Sequence, residues 1–140
     1  MDLDWEKLVK RYVWHDERTP YFTRVANLTC RQAHYELLAY AVFMGVLSGV
    51  IAVAAPSNWV SLYAFSVCCA ALFLGMTRHP WAAIWCAGAP LVALAGFAVE
   101  GFHPGLESAE KVLLVVAAAA GLAYSRRVVA VARAWPQLPV

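Results

Sequence analysis

Glu36 lies in the string RQAHYELLAY, one turn inside a long apolar run, and an ionisable group in that setting is by default a functional candidate. Bare charge is costly in hydrocarbon, so the carboxylate needs a partner, a path to water or a proton. Three kinds of chemistry fit its position. It can form an interfacial ion pair with Arg31, Arg78 or an N-terminal lysine, a structural pair inside a helix bundle, or an ion-coupling site that takes up and releases a proton. His34 and His79 fall at equal depth near the ends of two such runs, the placement that axial haem ligation would use. Against that, His79 precedes Pro80 and belongs to a turn. His15 and His103 lack partners at metal-ligand spacing. His103 does share a segment with Glu100, Glu107 and Glu110, where a weak cation site competes with the commoner solvated acidic loop.

Cys30, Cys68, Cys69 and Cys86 show no CxxC spacing, and three of the four lie within apolar runs, where a free thiol behaves as a small apolar residue. Neither a zinc site nor a disulfide framework is expected. There is no Ser-His-Asp set, no glycine-rich phosphate loop and no pair of carboxylates within one run. The expectation is therefore no catalytic residue, no metal and no cofactor, with an enzyme the less favoured class.

The elements that must position these residues are apolar stretches. Between Ala33 and Tyr124 the charged residues are Glu36, Arg78, Glu100, Glu107, Glu110 and Lys111 alone. What lies between them sorts into runs over His34–Ala55, Trp59–Met76, Trp81–Val99 and Val112–Tyr124. A hydrocarbon core about 30 Å thick needs about 20 apolar residues at helical rise. The first three runs meet that length, and the fourth meets it if its helix begins near Leu106 and Lys111 snorkels to the head groups. The sequence thus predicts an all-α, polytopic membrane protein, with four transmembrane helices over about 33–55, 59–76, 81–99 and 106–125 forming one bundle. A 1–32 arm precedes it and a 126–140 tail follows.

Composition agrees. The chain is 62% hydrophobic, whereas soluble domains are nearer about 45–50%. A net charge of +2 gives no reason to expect nucleic acid, but its distribution orients the chain. Of the eleven Lys and Arg residues, only Lys111 lies in the 56–58 or 100–111 loops; the rest sit in the arm, at Arg78, or after the fourth span. The positive-inside bias then makes both termini and the Arg78 turn cytoplasmic, in a multi-pass protein of the cell (inner) membrane. The first thirty residues lack an apolar centre, so the first span is expected to serve as the insertion signal.

Residues 2–14, DLDWEKLVKRYVW, read as an amphipathic cytoplasmic or interfacial helix. Trp5, Leu8, Val9, Tyr12 and Val13 share one face, Glu6, Lys7, Lys10 and Arg11 the other, and Asp2 and Asp4 suit a helix start. That aromatic face fits a lipid interface or a partner protein. Pro20 breaks the connector after it. Thr29 to Gln32, TCRQ, matches a capping box for the first span, and Trp59, Trp81 and Tyr124 are placed as interfacial anchors. Turns are expected at His79–Pro80 and at HPG over 103–105, and a kink at Pro90, which deprives the Cys86 carbonyl of its amide partner.

Helices in lipid associate through close contact at small residues. Ala41, Gly45 and Gly49 in the first span, Ala71 and Gly75 in the second, and Ala117 and Gly121 in the fourth are the expected packing stripes. Four spans with a glutamate in the first resemble the small multidrug resistance transporters. In those the glutamate lies near mid-membrane and no thirty-residue arm precedes it. The residues Arg31, Gln32, Ala33, His34 and Glu36 resemble a helix of the membrane-associated glutathione-linked enzymes, but there the helix order differs. The chain is assigned to neither family. The functional expectation is a non-catalytic accessory or assembly subunit of a larger integral membrane complex, of the respiratory, photosynthetic or transport kind. Its partners would be other integral membrane subunits and lipid, met in part by the face of Trp5, Leu8, Val9, Tyr12 and Val13. The alternative is a small homo-oligomeric proton-coupled transporter or channel that uses Glu36.

Overall fold

A computed structural model of the protein describes residues 24–102 and 104–139. The expected helix over 2–14, its face from Trp5 to Val13, and His15 and His103 lie outside the described residues.

The described chain is all-helical: α1 Cys30–Ala54, α2 Asn58–Thr77, α3 Pro80–Val99 and α4 Ser108–Ala134, with short 3-10 turns at Val25–Asn27 and Trp135–Gln137. All four α-helices are long and apolar enough to cross a membrane, the architecture of a multi-pass membrane protein. Local chemistry sets their ends. The Thr29 hydroxyl accepts from the Gln32 amide (3.3 Å) while Gln32 Oε1 accepts from the Thr29 amide (3.0 Å), closing the expected box at the start of α1. α2 ends on Arg78, whose φ of 56° is the left-handed conformation that usually falls to Gly or Asn. His79 then caps α3 by accepting the Trp81 amide at Nδ1 (3.3 Å), with Pro80 as the first helical residue. α3 runs as one helix from Pro80 to Val99 with Pro90 inside it.

The fourth helix differs most from the sequence expectation. It starts two residues after Leu106, at Ser108, behind a second capping box in which Glu110 accepts from the Glu107 amide (3.0 Å). It also continues past Arg126 and Arg127 to Ala134. The charged pair marks the end of the apolar run but not of the helix. Val128, Val131 and Ala132 supply a buried stripe beyond it, while Arg126 and Arg133 point outward.

α1 packs most extensively on α2, and α3 on α4; α2 joins the two hairpins to each other, and α1 meets α4 over a shorter stretch. Small residues set the α1–α2 approach. A Cβ on Gly75 would sit 3.5 Å from Ala41 Cβ, one on Gly45 3.8 Å from Ala71 Cβ, and one on Gly49 3.8 Å from Cys68 Sγ. On α4, a Gly121 Cβ would be 3.7 Å from the Pro90 ring. Ala117 differs from the other expected packing residues in being exposed.

Burial is uneven along the bundle. The fully covered side chains, Leu37, Leu74, Cys86, Val128 and Val131 among them, sit at the end where α1 and α3 begin and α2 and α4 finish. Arg24, Arg31, Arg78, Arg126, Arg127 and Arg133 belong to that end, so it is called the basic end below. A cleft of about 390 Å³ opens between α1 and the α3–α4 hairpin from Tyr40 and Ser125 onward, and a groove of about 550 Å³ between α1, α2 and α3 extends to Trp59 and Glu100 at the opposite end.

Candidate functional site

Glu36 and Tyr40 stand one turn apart on α1, and Tyr124 and Arg127 three residues apart on α4, so each pair shares a helix face. Where those faces meet, Glu36 is 2% exposed. Arg127 holds it in a two-point grip, Nε on Oε1 at 2.6 Å and Nη2 on Oε2 at 3.1 Å, and the Tyr124 hydroxyl donates to Oε1 at 3.0 Å. A parallel fork of this kind is the strongest geometry available to a carboxylate and a guanidinium. One turn deeper, the Tyr40 and Ser125 hydroxyls bond to each other at 2.8 Å, with Ser125 itself buried. No buried side-chain nitrogen or oxygen among the described residues lacks a hydrogen-bond partner.

This corrects the sequence reading of Glu36. Among the described residues the ion-pair partner is not Arg31 or Arg78 but Arg127, in the expected 126–140 tail, and the N-terminal lysines lie outside the described residues. Glu36 is shallow along its helix, yet the extension of α4 covers it. The signal was present in the sequence as two polar residues on one face of each helix. It is ambiguous in the sequence, because Arg126 and Arg127 look alike as head-group anchors until the rotation of α4 is known.

The histidines take separate roles. Arg78 Nε donates to His34 Nδ1 at 2.8 Å, and its guanidinium lies 4.7 Å from the centre of the Trp135 ring. His34 in turn lies 6.1 Å from that ring. The left-handed Arg78 is thus held from two sides, by α1 and by the turn after α4. The same turn closes on α1 again, since the Cys30 amide donates to the Pro139 carbonyl at 2.7 Å. His79 spends its Nδ1 on the α3 cap. The two imidazoles thus spend their Nδ1 atoms on different partners, and among the described residues no group of three or more His, Cys, Asp or Glu side chains could hold a metal ion.

Chemically, the Glu36 cluster is a clamp. It joins the first helix to the last through a neutralised pair, and its hydrogen-bonding capacity is taken up by neighbours. The cleft beside it, walled by Phe43, Met44, Pro90 and Gly121, is almost wholly apolar. The chain matches no family model, no curated protein and no solved structure.

Proposed function

We propose that this protein is a non-catalytic subunit that assembles with other integral membrane subunits, with both termini and the Arg78 turn cytoplasmic in the inner membrane. The observation that carries the reading is the state of Glu36. A coupling group must exchange its proton or ion with water on each side in turn, whereas this carboxylate is buried against Arg127 and Tyr124. That favours a structural role over proton-coupled transport. The outer faces leave room for partners, because 28%, 22%, 17% and 11% of the apolar windows of α1 to α4 are buried within the chain. Co-purification in mild detergent tests the reading directly: defined membrane subunits should accompany the chain in fixed ratio. Glu36→Gln should keep those subunits and produce no change in proton flux across reconstituted vesicles. Proton-coupled flux that disappears in the Gln variant would replace this reading with the transporter.

The orientation rests on the basic end, since six of the seven described Lys and Arg residues lie there and Lys111 alone lies opposite. Single cysteines at Ser57, Ser108 and Gln137, all exposed, report it in a variant whose four native cysteines are replaced. An impermeant thiol reagent added to intact cells should label positions 57 and 108 and spare 137. Labelling at 137 would invert the topology.

A further inference from the structure

We propose that the groove between α1, α2 and α3 is a site for a phospholipid whose head group ends in an ammonium, with the head at Glu100 and one acyl chain along the groove. α3 has 20 residues, which at helical rise is about 30 Å, the thickness of the hydrocarbon layer. Glu100, its C-cap, therefore stands at head-group level. From Glu100 and Trp59 the groove descends past Tyr63 and Ala93 to Val67 and Met44, near the middles of α2 and α1. It thus runs through one leaflet, the reach of a single acyl chain. Its floor is kept open by the small side of α3: a Cβ built on Gly96 meets nothing within 4 Å.

Charge selects the head group. The exposed Glu100 carboxylate sits at the C-terminal end of α3, where unpaired helix carbonyls add partial negative charge. Glu107 and Glu110 lie at the same end, and Lys111 is the one cation there among the described residues. Trp59, 83% exposed at the rim, offers a ring face to a cation. An anionic head group would meet repulsion here, while an ammonium finds a carboxylate, a helix end and an aromatic face. The inference is independent of the assembly role proposed above.

The test uses the purified full chain in mild detergent, with lipid adducts counted by native mass spectrometry. Phosphatidylethanolamine, phosphatidylcholine and phosphatidylglycerol are supplied in turn. The two ammonium lipids should be retained over phosphatidylglycerol by roughly threefold, the size expected of one exposed ion pair. Glu100→Lys should reverse the preference, and being at an exposed helix end it should leave folding intact. Gly96→Trp should reduce retention of all three lipids by filling the groove. Equal or greater retention of phosphatidylglycerol, a preference unchanged in Glu100→Lys, or no retained lipid at all would overturn the proposal.

Discussion

Arg127→Ala is expected to destabilise the bundle by about 3–5 kcal/mol, the usual cost of removing one partner of a buried ion pair. The reason is asymmetry of burial. Glu36 is 2% exposed against 20% for the Arg127 side chain, so losing the guanidinium strands a carboxylate that cannot reach water, with the Tyr124 hydroxyl as its remaining named donor. It must then ionise at high cost or take up a proton. Glu36→Gln should be milder: an amide oxygen still accepts from Tyr124, and a long arginine near a helix end can turn its head toward the interface. Replacing both residues by methionine should recover most of the loss, because an apolar pair of similar volume removes the stranded charge. The midpoint of SDS unfolding, followed by circular dichroism, measures all three variants. An Arg127→Ala protein as stable as the parent would mean that Glu36 is not enclosed as described. A double methionine variant no better than Arg127→Ala would show that the pair does more than neutralise itself.

The second large effect is expected in the α1–α2 hairpin. Gly45→Leu with Gly49→Leu should cost about 1–3 kcal/mol, in line with overpacking of a close-fitted interior. Cβ atoms at these positions would already rest at 3.8 Å from Ala71 Cβ and Cys68 Sγ, an ordinary contact distance, so alanine fits and anything longer must push the helices apart. Separation would also break the weak Cys68 Sγ–H contact to the Gly45 carbonyl, now 3.5 Å. The double alanine variant should unfold at the parent midpoint and the double leucine variant well below it. Equal midpoints for leucine and alanine would place this stripe against lipid rather than against α2.

The number and apolar character of the four long helices, and the extents of the first three, were legible in the residue order, because hydropathy is a property of each segment in its own solvent. So were features made by neighbours in the chain. The Thr29–Gln32 box needs side chains three residues apart, and the His79–Pro80 turn needs only a ring that fixes φ. The small-residue stripes of α1 and α2 could be read for the same reason, since a four-residue step keeps one helix face whatever packs on it.

What the residue order left open depends on how one helix is turned toward another. Glu36 finds its partner 91 residues away, and Tyr40 meets Ser125 across 85. Hydropathy ranks Arg126 and Arg127 alike, yet the rotation of α4 sends the first outward and the second onto Glu36. The same rotation exposes Ala117 and carries α4 on to Ala134, where Trp135 covers Arg78. A sequence by itself determines which groups must avoid hydrocarbon. Only the tertiary structure decides whether they do so by reaching the interface or by meeting each other, because that choice is made by distances between helices far apart in the chain.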